Sequence, residues 1–551
     1  MRRCHFHKNI NTYIYIKIKN LNYNLTIPYN DPYWYGLGGD DMTHEAMRMK
    51  RFVVDHFIKL IGISIFFFLV WGGWLFHLNP RIDTEYRINT PYTDSGWLTI
   101  GRQGAILTEI LFHLRWFNPY FASLMGYSVL CVTSLGMGYY LIRAHQGRNC
   151  TWSIYGWFGI ICFSHPIMAE MVYFDLQIIQ IAWAYMLSIA AAALTLVWAF
   201  RGYRLAAPLS MLCMIWAFST YQTFVTIYIA ICAAGYILHF QRVIKDGVHN
   251  ENAFIIALKI VSLFLASFAI NQWITSIWFY SSDYLNYKLS WTRVSLREGL
   301  LSVIRYIISS LTGNNSVFHS AWYLFFALGA VICTVINAAH AKEKGVNRWM
   351  YLLAMFVLQI SPFALGIYLG EAPPIRAQLV YPIVMAFNCL FCLEFCGKCK
   401  WRLPYYGCTL LMLVMLFMQV QTTTRLIYTD QVRAKEDVNI IGSIMKEVKL
   451  INDDKPVAFI GRRPATLNHA CLKGDLIGKS VLDWDTYAYP LYIHSTARIV
   501  GAANTLGYAC IGVSDESMME RACQVAQNMP TYPATGSVYD AGEFVVVKLS
   551  E

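Results

Sequence analysis

Charged side chains are scarce in this sequence. Asp, Glu, Lys and Arg together make up 14% of its 551 residues, whereas a typical soluble domain contains about 25%. Hydrophobic residues make up 56% of the chain. This imbalance excludes an ordinary soluble domain and predicts a protein that crosses a membrane several times.

Several signatures of other functions are also missing. No soluble part contains a Lys/Arg-rich arm with interleaved aromatic residues, so we predict no nucleic-acid partner despite a formal net charge of +11. The region after residue 425 contains no Gly-rich phosphate loop and no nucleophile elbow, and its odd number of cysteines does not suggest a disulfide-stapled module. Residues 1–41 show no signal-peptide pattern, and we assign them no function because Met42 or Met47 is an alternative start.

Long apolar runs, by contrast, are abundant. Hydropathy predicts about eleven membrane spans, most of them near the roughly 20 residues that a helix needs to cross a bilayer. Two of them, 151–164 and 205–218, are short, but the loop charges alternate between the two sides only if both are counted. The predicted fold class is therefore mainly α, a polytopic helical membrane bundle. The predicted spans are 57–78, 119–142, 151–164, 176–200, 205–218, 221–240, 253–279, 320–339, 349–369, 377–396 and 404–421.

The charges of the loops orient these spans. With the N-terminus inside, five short loops on that side contain 12 Lys and Arg residues, while the opposing loops at 165–175, 219–220 and 370–376 contain one, Arg376. Positively charged short loops stay in the cytoplasm. We therefore predict a cytoplasmic N-terminus. An odd number of spans then places the loop after 57–78 and the C-terminus on the outer side.

The composition changes near residue 425, where the apolar runs become shorter. Beyond it we predict a helix at 430–449, a buried strand in the VAFIG run that ends at Gly461, and a second strand at Phe544 to Leu549. The predicted domains are a cytoplasmic N-terminal segment at 1–56, a transmembrane domain at 57–424 and a small outer-face soluble α/β domain at 425–551.

Three acids follow the first predicted span within twelve residues: Asp83, Glu85 and Asp94. A solvated carboxylate is the usual fate of an acid outside a span, but three acids at one span mouth favour a catalytic role for at least one of them. Arg87 and Arg102 lie in the same stretch and are suited to phosphate, which the planar guanidinium binds through paired hydrogen bonds. This loop is the strongest candidate for chemistry in the chain.

A helix that begins near Arg102 would be amphipathic. At helical spacing, Arg102, Glu109 and His113 share one side, while leucine and isoleucine residues cover another. Such a helix is expected to lie at the membrane interface, with its polar side facing the same space as the acids. A site built in this way could admit a lipid-linked substrate from the membrane.

The order of these residues resembles that of a known family. The ID-x-EYR run at Ile82 to Arg87, then Trp97, then Gly101 and Arg102, is similar to the first outer loop of the bacterial and phage glucosyltransferase II family, the O-antigen-modifying enzymes. The resemblance runs from about residue 55 to the end. It departs from the family where Thr84 separates two acids that are often adjacent. Three later stretches are also similar: STYQTF at 219–224, PPIRAQLVYPIVMAF at 373–387 and MPTYPATGSVYDAGEFVVVKL at 529–549.

The resemblance implies a GT-C type membrane glycosyltransferase of the bacterial inner membrane. Such an enzyme moves glucose from a polyprenyl-phosphate carrier to a surface polysaccharide, such as O-antigen, at the outer face, with inversion at the anomeric carbon. The implied partners are the lipid-linked donor, the glycan acceptor, membrane lipids, a donor synthase and a flippase. A divalent cation is compatible with the acids, but the sequence does not require one.

The candidate roles follow from residue type together with this resemblance. Arg376, which follows two prolines, is the favoured phosphate ligand, and the alternative is a snorkelling arginine. An interfacial aromatic is the default interpretation for Tyr221, and Trp291 could equally be one. Two other functions stay open, a multispan transporter or flippase and a polyprenyl-linked oligosaccharide ligase. The predicted site comprises Asp83, Asp94 and Glu85 as candidate bases in that order, Arg102, Arg376 and Arg87 at the phosphate, and Glu170, Asp175, Tyr221, Gln222 and Trp291 at the sugar or acceptor.

Overall fold

Helices form most of the computed structural model. It describes residues 41–76, 81–85, 95–114, 116–147, 151–246, 252–278, 289–314, 316–343, 347–451, 454–487 and 491–551. The chain divides into two compact units, residues 1–51 and 52–551, and the structural features discussed below belong to the second unit.

Nearly all of the described chain before residue 457 is helical, and all three strands lie in the last hundred residues. The helices are α1 Asp41–Asp55, α2 Phe57–Leu75, α3 Ser95–Leu98, α4 Gln103–Leu111, α5 Pro119–Gln146, α6 Phe158–Phe163, α7 Pro166–Val172, α8 Ile178–Arg201, α9 Ala206–Thr220, α10 Phe224–Asp246, α11 Ala253–Trp278, α12 Leu296–Thr312, α13 Ala321–Glu343, α14 Arg348–Ile360, α15 Ala364–Leu369, α16 Val380–Gly397, α17 Leu403–Ile451, α18 Ile493–Thr505 and α19 Glu516–Gln527. The strands are β1 Val457–Ile460, β2 Val538–Asp540 and β3 Val545–Lys548.

Nine helices in the described part of the chain are long and apolar enough to cross a membrane. Two shorter apolar helical segments, Ile154–Phe163 and Ala206–Thr220, coincide with the two short predicted spans. These eleven segments correspond one to one to the predicted spans. The fold-class prediction of a polytopic helical membrane protein is therefore confirmed.

Helix α17 is longer than the sequence pattern suggested. It runs without a break for 49 residues, or about 73 Å at 1.5 Å per residue, and joins the predicted span 404–421 to the predicted helix 430–449. The polar run from Gln421 to Thr424 lowers the hydropathy there, but no Gly or Pro lies between Cys408 and Ile441 to end the helix. The domain boundary predicted at 424/425 falls inside this helix.

The C-terminal region contains a three-stranded sheet in the order β1-β3-β2, with β1 parallel and β2 antiparallel to β3. One face of the sheet packs against the end of α17, through residues such as Ile444 and Val448 with Phe459 and Val547. The other face packs against α19, through residues such as Ala522. Every residue of β1 and β3 is buried because both faces are covered.

Candidate active site

One arginine ties the loop after α2 to the C-terminal region. Arg498 in α18 donates from Nη1 to Asp83 Oδ1 at 2.8 Å and to Glu85 Oε1 at 2.5 Å. Its Nε donates to Asp485 Oδ2 at 2.6 Å. Hydrogen bonds between ionised groups are roughly twice as strong as neutral ones. Arg498 therefore gathers three carboxylates, two of which are predicted bases.

The three carboxylates differ in their access to solvent. The side chains of Asp83 and Asp485 are 36% and 39% exposed, whereas that of Glu85 is fully buried. Burial raises the pKa of Glu85 to about 7, although the positive charge of Arg498 opposes the shift. Asp83 and Asp485 both adopt left-handed backbone conformations, with φ of 70° and 54°. Such strain clusters at functional sites, and Asp83 is the more exposed of the two predicted bases that the structure describes.

A second ionic network holds the start of this loop. The side chain of Arg81 is fully buried, pairs with Asp175 and donates from Nε to Asp430 Oδ2 at 3.2 Å. Trp74 Nε1 donates to the same oxygen at 2.9 Å, and Arg433 donates to Asp430 Oδ1. Buried charges need partners of opposite sign and further hydrogen bonds, because desolvation of each ion is costly. This network fixes the loop between α17 and the start of α8.

The predicted phosphate ligand Arg376 lies beside that network. Its guanidinium carbon lies 5.0 Å from the centre of the Phe174 ring, and Phe174 directly precedes the Asp175 that pairs with Arg81. Arg376 is half-buried, and it forms no ion pair with any carboxylate in the described ranges. Phe174 therefore contacts Arg376, while the next residue, Asp175, pairs with Arg81 at the start of the loop of Asp83.

Glu170, a predicted sugar or acceptor contact, accepts hydrogen bonds from the C-terminal region. The segment expected to be the 165–175 loop contains α7, and the Glu170 side chain is buried at its end nearest the C-terminal region. The backbone amides of Leu476 and Ile477 donate to its carboxylate at 3.3 and 3.4 Å. Burial, helped by the charge of Asp475, raises the pKa of Glu170 to about 7. These contacts favour a structural role for Glu170, as the Arg81 pair does for Asp175.

Arg102, Tyr221 and Gln222 do come together. The guanidinium carbon of Arg102 lies 4.8 Å from the centre of the Tyr221 ring, and Gln222 Nε2 donates to Ile100 O at 3.2 Å. Arg102 is the residue immediately before α4, where the sequence predicted a helix start. Glu109 is buried, whereas the apolar residues Leu107, Ile110 and Leu111 are about half exposed, as expected for a helix that faces lipid on its apolar side.

Trp291 packs against the end of α15. Its indole Nε1 donates to Ile367 O at 3.0 Å, and its ring occupies the space that a Cβ atom on Gly370 would need. Gly370 also has a φ of +79°, which L-residues rarely adopt. Trp291 is therefore fixed as a packing residue, and its predicted role as a sugar contact stays a prediction.

Two predicted residues, Asp94 and Arg87, lie outside the residues that the structure describes. Within the described ranges, no group of three or more His, Cys, Asp or Glu side chains is arranged to hold a metal ion. The carboxylates of the site are paired with arginines.

Sequence reasoning missed Arg498, Asp485 and Arg81 as members of the site. Arg498 is 413 residues from Glu85, so no local spacing could have connected the two. Arg81 was visible as the first charged residue after the first span, but a buried position for it could not be inferred from a segment that is polar around it. Its pairing with Asp175 and Asp430 depends on tertiary contact.

The fold and the site together define a class: a polytopic helical membrane protein with arginine-paired carboxylates in its first loop and a small C-terminal sheet. The family model described as Glucosyl transferase GtrII matches residues 72–393, more than half of the chain, and the chain belongs to this family. The family resemblance seen in the sequence is thereby confirmed, and membership supports a glucosyltransferase. A search of curated proteins found no match, and neither did a search of solved structures.

The matched region contains the loop of Asp83 and Glu85, as well as Arg102 and Arg376, and it ends within α16. Arg498 and Asp485 lie beyond it. The carboxylates are therefore part of the region that the family model describes, while the arginine that binds them comes from the C-terminal region.

Proposed function

We propose that this glucosyltransferase takes a glucosyl residue from a polyprenyl-phosphate carrier and transfers it to a surface polysaccharide, such as O-antigen. The reaction would take place at the outer face of the bacterial inner membrane, with the N-terminus in the cytoplasm. The donor, the acceptor, membrane lipids, a donor synthase and a flippase are the proposed partners. The observation that carries the proposal is that two adjacent residues contact both parts of the candidate site: Asp175 pairs with Arg81 in the loop of Asp83, and Phe174 lies against Arg376.

In this proposal Asp83 is the general base. It removes the proton from an acceptor hydroxyl, whose oxygen attacks the anomeric carbon while the bond from that carbon to the phosphate oxygen breaks. Attack from the side opposite the phosphate inverts the configuration. Asp83 suits this role because its carboxylate is partly exposed and held in place by Arg498. The buried Glu85 accepts a hydrogen bond from the same arginine and so helps to fix its position.

Arginines stabilise the leaving group. Negative charge accumulates on the carrier phosphate as the glycosidic bond breaks, and preorganised cations nearby lower the energy of that state. Arg376 is the first choice because it has no ion-pair partner within the described ranges, and its guanidinium carbon lies 5.0 Å from the centre of the Phe174 ring. Arg102, held against Tyr221, is the second.

The experiment that tests the donor class uses the purified full chain in lipid nanodiscs with three radiolabelled donors. These are polyprenyl-phosphoglucose, UDP-glucose and a polyprenyl-diphosphate-linked oligosaccharide, each offered with bacterial surface polysaccharide. We expect label in the polysaccharide only with polyprenyl-phosphoglucose. Transfer of the intact oligosaccharide would identify a ligase instead, and transfer from UDP-glucose would overturn the proposed carrier.

A further inference from the structure

A cavity beside the candidate site contains a buried carboxylate that the proposed mechanism does not use. It has a volume of about 320 Å³, within the range of roughly 300–1,000 Å³ that is typical of small-molecule sites. Its walls are formed by the end of α4 with the turn after it, the start of α5 and the start of α8. The polar lining includes Glu109, His113 and Gln180, and the aromatic lining includes Phe112, Trp116 and Phe117.

We propose that this cavity binds the pyranose ring of a lipid-linked hexose, with Glu109 accepting hydrogen bonds from the ring hydroxyls. This inference rests on the proposed function and deepens it, because it identifies where the transferred sugar would sit.

The lining suits the chemistry of a sugar. A pyranose ring carries hydroxyl donors around its edge and apolar C–H groups on its faces. The Glu109 carboxylate can accept up to about four hydrogen bonds, and the amide of Gln180 lies 3.3 Å from its Oε1. The aromatic side chains Phe112, Trp116 and Phe117 provide flat apolar surfaces for the faces of the ring.

The position of the cavity connects it to the proposed phosphate ligand. Leu176, in the cavity wall, directly follows Asp175, which pairs with Arg81, and lies two residues after Phe174, which supports Arg376. The segment from Phe174 to Leu176 therefore contacts the proposed phosphate ligand, the loop of the proposed base and the cavity. In this proposal the sugar occupies the cavity while its phosphate binds Arg376.

The surroundings of the cavity favour a sugar that arrives on a lipid. On α4, which carries Glu109, the residues Leu107, Ile110 and Leu111 are 47%, 55% and 51% exposed, and Trp116 in the lining is 65% exposed. Exposed apolar side chains grouped in this way mark contact with a membrane. A hexose on an isoprenoid carrier could therefore enter from the membrane, whereas a free polysaccharide would approach from water.

The test measures binding to the full chain in nanodiscs by isothermal titration. The probes are a short-chain isoprenyl-phosphoglucose, the isoprenyl phosphate without sugar, methyl glucoside and an acceptor oligosaccharide. We expect Glu109→Gln to weaken isoprenyl-phosphoglucose binding about tenfold, since hydrogen bonds to a charged group are lost, and to leave isoprenyl phosphate binding unchanged. The matched control Leu107→Ala, on the same helix but outside the cavity lining, should bind all probes like the wild type.

A second variant guards against misfolding of the first. Trp116 is mostly exposed, so Trp116→Ala should fold, and it should weaken binding of the sugar-bearing probe by about three- to tenfold through loss of ring stacking. The inference is overturned if neither variant changes the affinity for any pyranose probe, or if both variants weaken sugar-bearing and sugarless probes equally. An effect confined to the acceptor oligosaccharide would overturn the lipid-linked assignment.

The same experiment distinguishes failure of the proposed function from failure of the cavity assignment. If the wild-type chain binds no isoprenyl compound, the proposed carrier is wrong, and methyl glucoside then tests the cavity directly. Weaker methyl glucoside binding by Glu109→Gln than by the wild type would retain the cavity as a pyranose site, and equal binding would overturn that too.

Discussion

Arg498 Nη1 lies 2.8 Å from Asp83 Oδ1, across 415 residues of sequence. The same nitrogen also donates to the buried Glu85, so the C-terminal region fixes the position of the loop that follows the first span. Arg498 binds the proposed base, Asp83, and would act on the substrate only through it. Its proposed role is therefore that of a positioning residue.

Replacing Arg498 should lower activity without preventing membrane insertion. We expect Arg498→Ala to reduce kcat/KM by about 10- to 100-fold, because a displacement of a reacting group by about 1 Å costs up to 100-fold. Arg498→Lys should recover part of the loss, since one cation remains near Asp83. The control is Arg521→Ala, which removes an exposed ion pair with Glu543 in the same region. Full activity in Arg498→Ala would contradict the positioning role.

Arg376 is expected to act on the phosphate of the donor. Arg376→Ala should raise KM for polyprenyl-phosphoglucose and lower kcat, for a combined loss of at least about 100-fold, as for removal of other donors to a developing anion. Arg376→Lys should keep part of the activity as a point charge. Steady-state kinetics with varied donor provides the measurement. Arg293→Ala, which breaks a half-exposed pair with Glu371 at 3.7 Å, is the matched control.

Glu170 should make the stability of the protein depend on pH. Its pKa in the folded state is raised to about 7 from an ordinary value of 4.5, so folding favours the protonated form. The stability that it contributes is fully present below about pH 4.5 and is lost as the pH rises through about 7. Wild-type Tm should therefore fall between pH 5 and 8 more steeply than that of Glu170→Gln. Equal slopes, measured by tryptophan fluorescence on heating, would contradict the shift.

The network around Arg81 should matter for stability more than any exposed ion pair. Arg81→Ala leaves Asp175 and Asp430 buried without that partner, and removing one member of a buried pair typically costs about 3–5 kcal/mol. Arg521→Ala should change the free energy of unfolding by less than about 1 kcal/mol, because its pair is exposed. Chemical denaturation in detergent compares the two variants, and similar losses would show that the buried network is unimportant.

The membrane helices could be predicted from the sequence because hydropathy depends on local composition. Even the two short spans were found, since loop charges required them. The continuity of helix α17 could not be predicted, because the polar residues Gln421 to Thr424 lower the hydropathy as a loop would. None of these residues is a helix breaker, and the helix continues through them. Whether the region after 425 forms a domain of its own is a prediction that the continuous helix leaves open.

The candidate site was predictable only in part. The acids near the first span and Arg376 were found because span ends and loop charges are visible in sequence. The partners that hold them were not, since Arg498 reaches Glu85 across 413 residues. Glu170 and Asp175 were predicted as acids of an outer loop, and the sequence did not show that Glu170 lies in α7 or that Asp175 pairs with a buried arginine.

The most direct test of the central claim is single-turnover transfer from polyprenyl-phosphoglucose by Asp83→Asn, with Asp485→Asn as the matched control. Both aspartates bind Arg498, both are partly exposed, and both have left-handed backbone conformations, but only Asp83 is proposed as the base. The account predicts a loss of about 10²- to 10⁴-fold for Asp83→Asn and a much smaller effect for Asp485→Asn. Equal activity of the two variants, or full activity of Asp83→Asn, would contradict it.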